Sequence, residues 1–262
     1  MSTTYLMDWD ESGKRLYETG VDHGVLYPTR NTTSATKDKI AFTGGVVWNG
    51  LTSVTDSPSG AEANDIYADN IIYASLRSAE KFGGTIEAYM YPDEFSACNG
   101  EATPSYTSDN TPTPVAGVYV GQQARQTFGF CYRSDVGDNE DASVDPDNEY
   151  KLHLWWNCTA APSERQYQTI NESPEAITMS WEISTTPVKV NGMRPTASMV
   201  IDSTKADSEK LAALMSVLYG RAASGEGQSA VKAINPCLPT PDGVIAILAT
   251  GDVSDYEITA TP

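Results

Sequence analysis

EAITMSWEISTTPVKV, residues 175–190, decides the reading of the fold. Ile177, Met179, Trp181 and Ile183 alternate with Thr178, Ser180, Glu182 and Ser184, the period of two of a strand with one face on a core. The stretch is expected to be a central strand that stops at Pro187, because proline brings no donor to a ladder.

Shorter runs of the same kind lie on both sides. RPTASMVIDS (194–203) keeps Ala197, Met199 and Ile201 in phase. Upstream, KLHLWWNC (151–158) puts Leu152, Leu154, Trp156 and Cys158 on one face and Lys151, His153, Trp155 and Asn157 on the other. RQTFGFCYRS (125–134) aligns Phe128, Phe130 and Tyr132, and GTIEAYMY (84–91) sets Ile86, Ala88 and Met90 against Thr85, Glu87, Tyr89 and Tyr91. IYADNIIYASLR (66–77) and the apolar VIAILAT (244–250) read as further strands, and the segment around Leu16–Tyr27 as a short hairpin. In VVWNGLTSVTDSPSGAE (46–62), Asn49-Gly50 signals a turn or bulge, and the polar tail is an exposed loop of defined shape.

One good helix is expected. Thr204 reads as its cap with Asp207 as the capping-box acid, and Leu211, Leu214, Met215 and Leu218 form a stripe that packs on a sheet. The run ends at Gly220 after about fifteen residues. The 262 residues read as a single domain with long loops near 31–38, 55–65, 99–117, 135–149 and 220–241. The segment 102–117, rich in Thr, Ser and Pro, reads as an irregular loop or arm.

With 35 acidic against 17 basic residues, the formal charge of −18 argues against an unspecific binder of nucleic acid or anionic membrane. The start of the chain has no signal-peptide pattern and no apolar run approaches a membrane span, so a soluble intracellular product is expected. Cys98, Cys131, Cys158 and Cys237 follow no metal or redox spacing and read as buried free thiols, although two disulfides are allowed.

No catalytic motif organises the chain, and no enzyme is expected. His23 and His153 are the only histidines and sit in no metalloprotease, nucleophile-elbow or phosphate-loop pattern. His153 on the polar phase of its strand reads as a surface or interface residue. The acids of 135–149, Asp138, Asp141, Asp145, Asp147 and Glu149 with Asn139, lack the spacing of a calcium loop. A carbohydrate-binding β-sandwich module is the alternative function, with Trp155 as its one exposed stacking candidate.

Several blocks carry more than periodicity. VVWNGLTSVTDSPSGAE with YADN, FGGTIEAYMYPDEFSAC, GQQARQTFGFCYRSDVG, YKLHLWW, INESPEAITMSWEISTTPV and RPTASMVIDST resemble, in this order over residues 40–204, the major tail tube protein of long-tailed, non-contractile, siphovirus-type bacteriophages. The resemblance implies a mainly β fold: two antiparallel sheets forming a sandwich or flattened barrel with one flanking α-helix. It implies a structural virion protein, made in the bacterial host cytoplasm, that polymerises as stacked hexameric rings into the tail tube. The implied partners are further copies of itself, the tape measure protein, and the tail initiator and terminator proteins. Double-stranded DNA passes through the lumen during ejection without specific binding; no membrane, cofactor, metal or catalytic residue is implied. On this reading Glu87 and Glu182 are the candidate lumen acids. Candidate inter-subunit or inter-ring contacts are Thr55, Asp56, Ser57, Pro58, Ser59, Gly60 and Glu62, and the block Asn171, Glu172, Ser173, Pro174 and Glu175. Both blocks read equally as rigid turns within one subunit.

Overall fold

In the computed structural model, which describes residues 15–34, 36, 38–60, 62–108, 111–138, 149–170, 176–225 and 231–258, the chain runs through fifteen strands and two α-helices. In chain order these are β1 (Tyr17–Tyr27), β2 (Thr29–Arg30), β3 (Ile40–Thr43), β4 (Val46–Val47), β5 (Leu51–Asp56), β6 (Ala63–Ala68), β7 (Ile71–Arg77) and β8 (Gly83–Ala88). Then follow β9 (Ser105–Ser108), β10 (Thr111–Pro114), β11 (Phe128–Gly137), β12 (Tyr150–Ala160), β13 (Met179–Thr185) and β14 (Ser198–Asp202). Helix α1 (Ser208–Leu218), β15 (Cys237–Pro239) and α2 (Pro241–Thr250) close the order.

The largest sheet runs β4-β1-β11-β12-β13-β8-β5, with β14 added on β12. Strand β12 is long enough to take β14 along Lys151–Trp155 and β13 along Cys158–Ala160. The two ends of this order, β4 and β5, are joined by three residues only, Trp48 to Gly50. So short a link forces the sheet to curl until its edges meet. Trp48 N donates to Gly24 O of β1 at 2.8 Å, and Tyr89 N, just past β8, donates to Gly50 O at 2.9 Å.

Curling gives the sheet an inside and an outside, and both are apolar. Inside lie Leu26, Trp48, Ile86, Phe128, Phe130, Trp155 and Trp181, closed by Phe95 from a short 3-10 turn. The rings meet edge to face, with Trp48 and Trp181 centroids 5.7 Å apart. Outside, Val25, Tyr27, Cys131, Leu152, Leu154 and Trp156 receive α1, α2 and the small sheet β15-β3-β2. A positive φ of 49° at Asn157 marks a bulge that changes the phase of β12. Before it Leu152, Leu154 and Trp156 face the helices; after it Cys158 and Ala160 face the interior.

The expected two-sheet sandwich or flattened barrel with one flanking helix is therefore corrected. The described residues form a mixed α/β fold with four separate sheets and two helices. The largest departure is 244–250, read as a strand and found inside α2. Six apolar residues followed by a threonine fit a buried strand or a buried helix equally, and the ends decide. Thr240 Oγ1 accepts from Gly243 N at 3.2 Å, Pro241 opens the first turn, and Gly251 closes the last at φ 76°.

Other boundaries move for similar local reasons. The segment 66–77 is two strands of a hairpin rather than one, because Asp69 and Asn70 take φ 51° and 65°, the left-handed pair that turns β6 into β7. The opening segment is one bulged strand, not a hairpin. Within 102–117, read as an irregular loop or arm, β9 and β10 pair with each other. Helix α1 spans 11 residues, and its cap is Asp207, whose carboxylate accepts from Glu209 N and Lys210 N. Thr204 instead bonds Asp202 at 2.6 Å. In the expected stripe Leu211, Leu214 and Leu218 are buried, whereas Met215 is half-buried beside Tyr150 and Val217 takes the inner position.

All four cysteines are buried free thiols, and burial pushes those of Cys98, Cys131 and Cys237 up to about 12. Among the described residues, no helix is long and apolar enough to cross a membrane.

Candidate functional site

Three places carry polar or apolar groups that the core does not absorb. The first is the outward face of β5, β8 and β13. The register pairs Glu87 with Ser180 on one side and Ser53 on the other, and Thr85 with Glu182 and Thr55. Successive residues of a strand point to opposite faces, so Ser53, Thr55, Thr85, Glu87, Ser180, Glu182 and Ser184 share one surface, opposite Ile86, Trp181 and Ile183. Glu87 accepts from Ser53 Oγ at 2.8 Å, and Glu182 is exposed. The helices pack on the other half of the curled sheet. The two expected lumen acids are thus brought onto one polar face on which no strand position is Lys or Arg.

The second place is the β6–β7 hairpin, a two-stranded sheet of its own. Ile66, Tyr67, Ile71, Ile72, Tyr73 and Leu76 are all exposed on it, Tyr73 by 74%. Alternation along β7 puts Ile71 and Tyr73 on one face and Ile72 and Leu76 on the other, so both faces are apolar. A lone two-stranded hairpin is marginal in water. Sequence reading missed this feature because it took the segment as one strand; the Asp69-Asn70 pair was the available signal.

The third is a polar cluster at one end of the curled interior. Ser134 Oγ lies 2.6 Å from Glu18 Oε1 and 2.9 Å from His153 Nε2, and Lys151 Nζ bonds Glu18 Oε2. The His153 ring stacks on Tyr132, centroids 4.4 Å apart, and Tyr132 Oη donates to Asp56 Oδ1 at 3.4 Å. Beside it Arg133 grips Asp22 with two bonds of 2.9 and 2.7 Å. Burial works to raise the Glu18 and Asp22 carboxyls, but hydrogen bonds from Lys151 and Ser134, and from Arg133 and His23, outweigh it and leave both below their ordinary values. Burial lifts Asp56 and lowers His153, the latter against the pull of Glu18 and Asp56.

Proton counting fixes the tautomer. Ser134 has one hydroxyl proton, and the short contact gives it to Glu18. The contact with His153 is therefore completed by Nε2–H donating to the serine oxygen, and the neutral ring keeps a bare Nδ1. An acyl-transfer triad needs the reverse: the imidazole accepts the serine proton at Nε2 while the acid holds Nδ1–H. Here the acid holds the serine, and His153 Nδ1 has no partner.

The remaining expected residues are placed as follows. Thr55 and Asp56 end β5, with the Asp56 carboxylate reaching Tyr132. Ser57 N donates to Gly83 O at 2.8 Å, and Ser59 and Lys81 exchange backbone bonds of 2.8 and 2.7 Å. Pro58 and Gly60 flank this bridge, and Glu62 O takes Ser78 N at 3.3 Å, so the segment is tied to its own subunit and exposed on its other side. Asn171, Glu172, Ser173, Pro174 and Glu175 lie outside the described residues, as do Asn139, Asp141, Asp145 and Asp147.

Two expectations about exposure are corrected. His153 is only 8% exposed, and Trp155 is buried, packed on Phe82 at 5.2 Å and against Gly84, where any Cβ would fall 2.6 Å from its ring. Both residues point into the curled interior, a second apolar layer that a one-sided strand reading does not anticipate. Trp155 is therefore not an exposed stacking residue. Among the described residues, no group of three or more His, Cys, Asp and Glu side chains is placed to hold a metal ion. No family model matches this chain, and no curated protein matches it.

Proposed function

We propose that the chain is a structural building block that assembles with copies of itself into stacked hexameric rings, the tail tube of a siphovirus-type bacteriophage, through which double-stranded DNA passes during ejection. The observation that carries this reading is the β6–β7 hairpin, apolar on both faces and, among the described residues, paired with no other strand of its own body. Such a hairpin is stabilised when a neighbouring subunit covers it, and a contact between two different surfaces repeats into a ring or filament.

The acidic face of β5, β8 and β13 supports the conduit role. A bore lined by Glu87 and Glu182 repels phosphates, releases no DNA-bound counterions, and leaves the duplex free to slide. The chain-wide charge of −18 acts in the same sense. The sequence blocks that resemble tail tube proteins include β4, β5, β8, β11, β13, β14 and most of β12, that is, the strands of the curled sheet other than β1.

Negative-stain electron microscopy of the purified chain, alone and with tape measure and initiator proteins, tests the reading. Hollow filaments or six-membered rings are expected, and Ile72→Ser with Tyr73→Ser is expected to abolish them while leaving a folded monomer. Monomers alone under all of these conditions would overturn the assembly role.

A further inference from the structure

The cluster around His153 opens onto a cleft of about 330 Å³ lined by, among others, Glu18, Gly20, Thr52, Tyr132 and His153. Two buried polar atoms of its lining, His153 Nδ1 and Thr52 Oγ1, have no hydrogen-bond partner. Buried polar atoms without partners are few in folded proteins, and each asks for a ligand group or a water. The proton count above makes His153 Nδ1 an acceptor, Thr52 Oγ1 can accept, and the Glu18 carboxylate is a third acceptor in the lining. Among the described residues, no lysine or arginine lines the cleft.

The charged groups that act on His153 stand on three strands: Glu18 on β1, Asp56 on β5 and Lys151 on β12. Arg133 alternates with Tyr132 and Ser134 along β11 and holds Asp22 on the other face of the strand, over the Tyr150 ring. Two carboxyl groups thus face one cation, and that cation is already spent on Glu18. Three acceptors in a net acidic setting match one chemistry. A protonated primary amine offers three N–H donors and a positive charge, whereas an anion is repelled and a neutral polyol satisfies only the hydrogen bonds.

We propose that this cleft binds a small organic cation through a protonated primary amine, whose donors go to His153 Nδ1, Thr52 Oγ1 and the Glu18 carboxylate. Nothing in this site depends on self-assembly, so it stands or falls separately from the tube.

The chain's two histidines make the test direct. Putrescine is titrated into the isotope-labelled full chain at about pH 7.5, where His153 is neutral, and the imidazole resonances are followed by NMR, with glycerol and acetate as comparison probes. A saturable shift of the His153 ring with putrescine is expected, and none with acetate. Glu18→Gln, checked for folding by circular dichroism, is expected to weaken binding roughly tenfold, the worth of one charge-assisted bond. Thr52→Val, which keeps the charge and the shape, is expected to weaken it by a smaller factor. Lowering the pH until the same ring resonances show His153 taking its second proton should weaken it as well, because that proton converts Nδ1 from acceptor to donor and places like charge against the amine. A glycerol response equal to that of putrescine, a shift that does not saturate, unchanged affinity in Glu18→Gln, or no shift at all would overturn the proposal, the last showing a cleft that holds water only.

Discussion

The interior of the curled sheet and the β6–β7 hairpin are built from the same kinds of residue and meet opposite fates. Trp48, Phe130, Trp155 and Trp181 inside are at most 1% exposed, whereas Tyr67, Ile71 and Tyr73 on the hairpin are each more than 60% exposed. Hydrophobicity per residue does not separate them; closure does. The interior is sealed because Trp48 to Gly50 pull the two ends of the sheet order together, so each ring finds partners on several strands. The hairpin pairs only with itself. One region buries its apolar surface in the fold, and the other leaves it exposed.

If that contrast is right, removing a ring from the interior has the largest effect. Trp181 touches Trp48, Tyr91 and Phe95 at centroid distances of 5.7, 5.7 and 5.2 Å, and its Nε1 donates to Asn99 Oδ1 at 3.1 Å. Trp181→Ala leaves a cavity among rings that cannot all collapse and takes the donor from Asn99 Oδ1, whose Nδ2 keeps its bond to Glu101. A loss of about 3–5 kcal/mol is expected from chemical denaturation. A loss below about 1 kcal/mol would show that the interior is loosely packed and the contrast with the hairpin false.

A smaller effect is expected where the interior ends in polar groups. The folded-state pKa of His153 lies below its ordinary 6.5, so the unfolded chain binds the extra proton first. The stability this residue contributes is therefore present above about pH 6.5 and lost as pH falls below that value. Glu18 and Asp22 have lowered pKa values, so their contributions are lost only further down, as pH falls below their ordinary 4.5 and 3.8. Asp56, raised by burial, opposes them weakly in that lower range. Melting temperature measured between about pH 7.5 and 5.5 should fall less in His153→Gln than in the unaltered chain. Equal slopes would place His153 in solvent and extend the open character of the hairpin into the sheet's end.

Much of this contrast is written in local pattern, and the part that is not follows from layering. The alternation of Met179 to Ser184 gave the buried and exposed sides of β13 directly, whereas the shared face of Glu87 and Glu182 follows from the pairing of β8 with β13, which alternation does not name. The burial of Trp155 and His153 was not legible, because a period of two names a second face without saying whether another layer covers it. Strand β12 is covered on both sides, and the φ of Asn157 exchanges the two sides partway along. Helix α2 was hidden in a run too apolar to show a stripe, although Thr240-Pro241 and Gly251 marked its ends. The cluster of Glu18, Ser134 and His153 draws on three strands far apart in sequence, and only the sheet order brings them into contact.

The smallest expected effect is the most discriminating. Tyr73→Ser and Ile72→Ser remove large apolar groups from a hairpin whose sequence alone resembles that of a core strand. In the monomer these side chains are 74% and 55% exposed, so little transfer free energy is at stake. Their unfolding free energy in dilute solution should change by no more than about 0.5 kcal/mol each. A loss approaching that of Trp181→Ala would mean that the hairpin folds back on its own subunit. A near-zero change in the monomer, together with loss of self-association at high concentration, would assign the hairpin's apolar surface to the contact between copies rather than to the fold.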